Sequence, residues 1–273
     1  VNGGESDLEL IARAARAAGA EAKARQSGLT AADIDHKADA TPVTSADLAA
    51  NAILKETLLS ARPDYGWLSE ESKDNPERLS RARIFVVDPI DGTEAYIAGK
   101  PDYVVSVAVV QEGRPVAGVL YQPAEDALYA AEAGKGAVRN GAPLHVSDRA
   151  QLAGGRLVCP ARHLAPGKWR TPWPDDITIG YRNSMAYRIA LVARGDWHGA
   201  LALSGKSDWD LAAADLIALE AGGLITGLDG AKLRYNEAET CKQGVVCGAP
   251  LFHAALMRRL RDWRRGREHG EAE

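Results

Sequence analysis

The stretch Ile84-Phe85-Val86-Val87-Asp88-Pro89-Ile90-Asp91-Gly92-Thr93-Glu94-Ala95-Tyr96-Ile97-Ala98 decides how this chain is read. An apolar, β-branched run that meets Asp-Pro predicts a strand stopping at the aspartate, because Pro lacks the ladder N–H and fixes φ. Gly92 lets the backbone approach a ligand closely. Thr93 is placed to cap the short helix that follows. The order is therefore strand, tight turn, short helix. Two carboxylates at a strand's carboxyl end, beside the free N–H groups of a helix start, suit a metal ion and a phosphate. Asp-Pro and Asp-Gly are also ordinary turn chemistry, so a plain loop is the competing reading. Phosphatases with an aspartyl nucleophile carry Asp-x-Asp-Gly-Thr; the spacing Asp-x-x-Asp-Gly-Thr misplaces the first carboxylate for that chemistry.

The composition around this stretch is that of a soluble globular protein, 46% apolar and 26% charged. Its 273 residues suffice for one large domain or two small ones. A net charge of −4 offers no basic surface to a nucleic acid. No apolar run approaches the roughly 20 residues that cross a bilayer. Glu5, Asp7 and Glu9 stand where a secretory signal would have its basic start, so export is not expected. Cys159, Cys241 and Cys247 form no CxxC pair, which suits reduced thiols in a cytoplasm. Cys241 and Cys247 flank a strand and read as packing residues.

Outward from the central stretch, residues 6–26 read as an Ala-rich amphipathic helix with Leu8, Ile11, Ala15 and Ala18 on one face. Thr44 is a good N-cap for a second helix running to about Ser60, with Asp47 at its third position. Tyr65–Ser69 reads as a short strand delivering Glu70-Glu71, and alternation lets only one of that pair face a site. Residues 72–83 are charged and contain Pro, as a surface loop does. Tyr103–Gln111 and Pro115–Tyr121 flank Glu112-Gly113-Arg114 as a hairpin, and Leu128–Glu132 and Ala137–Val138 continue it, with Asn140-Gly141 as a turn. This predicts a large, mostly antiparallel sheet in an N-terminal half, 1–150, that carries the metal site. The polar stretch Ser147–Gly155 separates it from a C-terminal α/β half, 151–273. There Arg156–Cys159, Gly199–Leu203, Leu224–Thr226 and Gly244–Cys247 read as strands, and Tyr187–Ala193, Asp210–Ala221 and 250–265 as helices. Asp210 reads locally as an N-cap. The basic run Arg258–Arg267 reads as a solvated face of the last helix.

Asp88–Thr93, with Pro42-Val43-Thr44-Ser45-Ala46-Asp47, Ser69-Glu70-Glu71, and Trp209-Asp210 leading to Glu220-Ala221-Gly222-Gly223, resembles the signature of the inositol monophosphatase superfamily. These are magnesium-dependent, lithium-sensitive phosphatases, and the four motifs stand in family order between about residues 37 and 250. The resemblance implies an α/β fold, a layered α/β/α/β/α sandwich of the sugar-phosphatase type, usually a homodimer. It implies metal ligands at Glu70, Asp88, the Ile90 carbonyl, Asp91 and Asp210, with Trp209 packed behind Asp210. It assigns Asp47 and Thr93, with Glu70, to orienting and activating the attacking water. It places Lys37, otherwise a solvated surface lysine, on a strand leading to the site. Asn51 stands where the family often has an acid, and Glu94 replaces the usual Lys, Arg or Thr.

All-oxygen ligands suit Mg²⁺, two or three ions, or Mn²⁺, and not Zn²⁺. Clustered carboxylates repel one another until a cation joins them. With no activated Ser, Cys or His in view, the expected chemistry is direct in-line hydrolysis of a small phosphorylated metabolite. Gly92, Thr93 and Asp210 would bind the substrate. Inositol monophosphatases carry a Glu seven residues before the Trp-Asp aspartate; Leu203 stands there and cannot accept hydroxyl hydrogen bonds. Lys206, Arg162-His163 and Arg188 add cations that resemble the pattern of 3′(2′),5′-bisphosphate nucleotidases. The expectation is thus a nucleotidase converting 3′-phosphoadenosine 5′-phosphate to AMP. Inositol monophosphatase or another sugar-phosphate phosphatase is the alternative, and a non-catalytic metal- or phosphate-binding regulator a remote one.

Overall fold

The computed structural model describes residues 4–37, 40–165 and 167–268. Helix α1, Asp7–Gln26, opens with a capping box: Glu9 N donates to Ser6 Oγ at 3.2 Å and Ser6 N to Glu9 Oε2 at 2.8 Å. The strands β1, Ile34–His36, and β2, Pro42–Thr44, pair as a small antiparallel ribbon that leads into α2, Ser45–Ala61.

The first large sheet contains β3, Gly66–Ser69; β4, Arg83–Asp91; β5, Val104–Gln111; β6, Arg114–Gln122; β7, Ala127–Glu132; β8, Ala137–Arg139; and β9, Ala142–Pro143. They lie side by side in chain order, and only β3 and β4 run parallel. A short helix α3, Thr93–Ile97, follows β4. The second sheet takes β10, Arg156–Val158; β11, Thr178–Gly180; β12, Gly199–Ala202; β14, Leu224–Gly227; and β16, Val245–Gly248, in the order β11-β10-β12-β16-β14. β13, Lys206–Ser207, pairs with β15, Cys241–Lys242, outside it. The helices of this half are α4, Met185–Ala193; α5, Asp208–Glu220; and α6, Pro250–Glu268.

Alternation along β4 explains the layers. Phe85 and Val87 face α1 and α2, packing with Leu10, Ile11, Leu54 and Leu58. Ile84 and Val86 face the opposite way, into a cluster with Ile189, Leu211 and Ile217 of α4 and α5 and with Val158, Ala200 and Val245 of the second sheet. The outer face of that sheet, Leu157, Leu201 and Val246, is covered by Phe252, Leu256 and Leu260 of α6. A strand buried on both faces reads as an unbroken apolar run. The result is the five-layered α/β/α/β/α sandwich. No helix among the described residues is long and apolar enough to cross a membrane.

Three local readings change. The surface loop 72–83 contains a 3₁₀ turn, Pro76–Ser80, whose Arg78 is buried and grips Asp74, Asn236 and the Glu237 carbonyl. Cys247 is buried but Cys241 is exposed, so only one of the two packs. Of the C-terminal basic run, Arg259 is not purely solvated: its guanidinium lies over the rings of Trp169 and Trp173, at 5.9 and 5.1 Å. The side chains from Arg264 onward lie outside the described residues.

Two features of α5 carry predictions. A Cβ at Gly118 of β6 would lie 3.0 Å from Ala213 Cα and 3.1 Å from its carbonyl oxygen, so the glycine lets α5 sit directly on the sheet. Gly118→Val is expected to cost about 1–3 kcal/mol in denaturant unfolding, since backbone cannot move aside cheaply. Asp215, buried on the same helix, accepts from the Tyr235 hydroxyl at 2.8 Å. Burial pushes its carboxyl up to about 7, against that hydrogen bond. An unfolded carboxyl titrates near 4, so between those values the folded chain holds the extra proton. The stability from this group is full at low pH and is lost as pH rises through about 7. The melting temperature of Asp215→Asn, relative to the parent, is expected to rise between pH 5 and pH 8; a pH-independent difference contradicts this.

Candidate active site

The carboxyl ends of β3 and β4 meet the N-termini of α2, α3, α4 and α5. Each helix start presents unpaired N–H groups and a partial positive charge; α2 and α5 carry aspartates of their own there, Asp47 and Asp210, and α4 receives Asp91 of the central stretch. At α2, Asp47 closes a capping box: its Oδ2 accepts from Thr44 N at 2.8 Å and Thr44 Oγ1 at 2.6 Å. Its other oxygen, Oδ1, lies 3.3 Å from Thr93 Oγ1. At α5, Asp210 does the same for Ser207, accepting from its N–H at 2.8 Å. Ser207 is the N-cap and Asp210 the third helical residue, which corrects the N-cap reading of Asp210.

The central turn also differs in detail. β4 runs on through Pro89 to Asp91, with a register shift between Asp88 and Asp91 instead of a stop at Asp88. Asp88 Oδ1 accepts from Ile90 N at 3.0 Å, a local turn that absorbs the irregularity. The helix cap is Gly92, at φ 105°, and Thr93 is the first residue of α3. Thr93 Oγ1 is thereby free of capping and lies between Asp47 and the Ile90 carbonyl, 3.2 Å away. A Cβ at Gly92 would come within 2.9 Å of the Asp102 carbonyl oxygen and 3.1 Å of Ser184 Cβ, so space and φ both require glycine.

Asp91 is held by a residue the sequence reading did not single out. Ser184, the N-cap of α4, donates its hydroxyl to Asp91 Oδ2 at 2.7 Å, and the Ala186 and Met185 amides donate at 2.6 and 3.2 Å. The Asn-Ser pair before an apolar run signals a cap; nothing local signals that the cap's guest is 93 residues away.

Asp88, Asp91 and Asp210 converge, each with a carboxylate oxygen within 4.8 Å of the others'. Burial raises all three carboxyls, and neighbouring carboxylates add to it at two of them: Asp88 is driven well up, with Glu70, Asp91 and Asp210 adding to desolvation, and Asp210, with Asp91 and Glu70 adding, reaches about 7. Lys206 and the α4 hydrogen bonds oppose this at Asp91. Two buried carboxylates and a half-buried third, converging as oxygen donors, fit a hard divalent cation, which would relieve both penalties. Burial likewise raises Asp47, against its Thr44 bonds.

Glu70 does not join that trio. Lys37 takes it, with Nζ 2.6 Å from Glu70 Oε1 and 2.6 Å from Glu71 Oε1. Lys37 is thus a half-buried clamp and not a solvated lysine; despite burial, the two carboxylates hold its pKa above the usual lysine range. Glu71 is almost enclosed, its side chain 7% exposed, and burial raises its carboxyl. Asn51, where the family often has an acid, ties the end of β3 by accepting from Ser69 Oγ at 2.7 Å and donating to the Glu71 carbonyl at 3.2 Å.

A cleft of about 250 Å³ opens beside this cluster. Glu70, Gly92, Thr93, Arg162, Arg188 and Lys206, all singled out from the sequence, line it, together with Glu94, His163, Tyr181, Asn183 and Ser204. One cation expected there is altered. The Arg188 guanidinium donates to the carbonyls of Arg182 and Asn183, at 2.5 and 3.1 Å, so its donors hold a loop. His163 is buried, and burial with the charges of Arg162 and Arg188 pushes it down to about 4, leaving it neutral. Leu203 packs into the outer core under α6.

The family model described as the inositol monophosphatase family matches residues 5–264. An inositol-1-monophosphatase of Mesorhizobium japonicum is 34% identical over 226 residues, covering 80% of this chain and 82% of that protein. The Nus factor SuhB of Escherichia coli K12 is 31% identical over 265 residues, covering 93% and 96%. The crystal structure of the extragenic suppressor protein suhB from Bartonella henselae superposes with a TM-score of 0.78 at 30% identity, covering 93% of this chain and 98% of that one.

Proposed function

Because the chain belongs to the inositol monophosphatase family and is a phosphatase of that family, we propose that it hydrolyses a small phosphomonoester with Mg²⁺, inositol 1-phosphate first among the candidates. The observation that carries this is the convergence of Asp88, Asp91 and Asp210 beside the Asp47–Thr93 pair, at the edge of a cleft lined by Lys206. Asp88, Asp91 and Asp210 would hold the cation, with Glu70 and the Ile90 carbonyl as further oxygen donors. When bound, Mg²⁺ supplies charge for the reacting oxygens of the ester and the water. Asp47 accepts the proton of the attacking water, which the Thr93 hydroxyl positions. Lys206, with Gly92 and Thr93, steadies the phosphate.

The relative named for inositol 1-phosphate supports that ester over 3′-phosphoadenosine 5′-phosphate. So does the engagement of Arg188 with backbone carbonyls, which leaves fewer donors for a second phosphate. Phosphate release from the two esters with Mg²⁺ tests the choice: a higher kcat/KM for inositol 1-phosphate is expected, and a higher value for the bisphosphate overturns it. Lys206→Met is expected to raise KM for either ester about tenfold, the worth of one charge-assisted hydrogen bond; an unchanged KM removes Lys206 from the phosphate. The family resemblance further supports two or three metal ions, lithium inhibition, a homodimer and a cytoplasmic location. The reading as a non-catalytic regulator draws on the name Nus factor SuhB. The complete set of site carboxylates speaks against it, and metal-dependent turnover decides.

A further inference from the structure

A second cavity, of about 230 Å³, opens between α2, β3 and the 3₁₀ turn Pro76–Ser80, and it shares no lining residue with the catalytic cleft. Gly66 of β3 allows it to form. A Cβ there would come within 2.5 Å of Ile84 Cγ2 and 3.2 Å of Arg78 Cα, so the glycine lets the turn lie against the strand. That packing gathers cations from three segments: Lys55 of α2, Lys73 from the loop before the turn, and Arg81, which closes the turn. All three are exposed, and none makes an ion pair among the described residues. The buried Arg78 also lines the cavity, but Asp74 takes its charge. The lining holds one carboxylate, Glu77, which accepts from Asn75 Nδ2 at 3.2 Å. Three uncommitted cations thus face one carboxylate, in a chain whose net charge is −4. A concave wall with an excess of one sign focuses its potential on ions of the other. Trp67 forms an apolar part of the wall, and its Nε1 donates to Ser72 Oγ at 3.0 Å. Asn51 Nδ2 donates to the same oxygen at 3.1 Å and to the Glu71 carbonyl at 3.2 Å. The cavity is therefore built on the hydrogen-bonded segment that carries Glu70 and Glu71.

We propose that this cavity is a second anion site, separate from the catalytic cleft, that takes a compact multivalent anion of diphosphate size. Lys55 and Lys73 supply point charges and Arg81 a planar fork of donors. A cavity this small suits a compact ion better than a drug-sized molecule. The bound anion ties α2 to the loop before the turn. The proposal goes beyond the phosphatase reading and does not depend on it.

Calorimetric titration of inorganic pyrophosphate into chelator-treated protein tests the site, because without a cation the carboxylates of Asp88, Asp91 and Asp210 repel anions from the catalytic cleft. Binding of one pyrophosphate per chain is expected, with a rise in melting temperature. Lys73→Met combined with Arg81→Met is expected to weaken Kd about tenfold or more, and Lys206→Met, in the catalytic cleft, to leave it within about twofold. Lys55→Met, on a different segment, is expected to weaken Kd as well, so the result does not hang on the folding of one variant. No uptake by the parent, an unchanged Kd in the Lys73 and Arg81 double variant, or a loss in Lys206→Met instead overturns the proposal.

Discussion

Asp88→Asn is expected to reduce phosphate release by about a thousandfold or more, because the lost carboxylate is worth several kcal/mol of charge stabilisation at the reacting phosphate. The same substitution is expected to raise the melting temperature of the metal-free protein. Asp88 is almost wholly buried among Glu70, Asp91 and Asp210, and its charged form is strongly disfavoured there. An Asn amide oxygen can still accept from Ile90 N, so the local turn survives. Removing one of several repelling charges therefore stabilises the folded chain while it disables the site, a trade common where function demands clustered charge. Mg²⁺ should raise the melting temperature of the parent, since an ion that binds only the folded chain stabilises it, and should do so far less for the variant. Full activity in Asp88→Asn would contradict the assignment.

Asp47 carries two roles that can be separated. Its Oδ2 caps α2 through Thr44, and its Oδ1 approaches Thr93. Asp47→Asn retains an oxygen for the Thr44 amide but cannot accept a proton, so a loss of about 10²–10⁴ in kcat is expected with a small change in stability. Asp47→Ala should lose a similar factor and, in addition, about 0.5–2 kcal/mol of stability from the broken cap. If Asp47→Asn stays active and Asp47→Ala fails only in proportion to its unfolding, the residue is a cap and nothing more.

Legibility in the sequence followed the range of the interactions. The layers were readable because strand and helix periods are local: Ile84–Val87 and the hairpin around Glu112-Gly113 announce themselves within a few residues. The carboxylate trio was readable only through the family motifs, since Asp210 on its own looks like a helix cap. It is in fact the third residue of a capping box, like Asp47; Asp210 caps a helix and stands in the trio at once, and Asp47 caps a helix while its other oxygen approaches Thr93. The boundary errors came from irregular backbone: Pro89 sits within β4 because the register shift at Asp88–Asp91 accommodates it. Partnerships across the chain were not legible. Ser184 with Asp91, Lys37 with Glu70 and Glu71, and Arg78 with Asn236 depend on how loops from distant segments are brought together. Arg188 illustrates the opposite failure, a cation whose charge suggested a ligand and whose donors hold backbone carbonyls.

The release of inorganic phosphate from inositol 1-phosphate, followed while Mg²⁺ is titrated into chelator-treated protein, tests the metal site most directly. No release without the ion, saturable release with it, and none in Asp88→Asn is the predicted result. Release that ignores the ion, or none from a well-folded parent at any Mg²⁺ concentration, would contradict it.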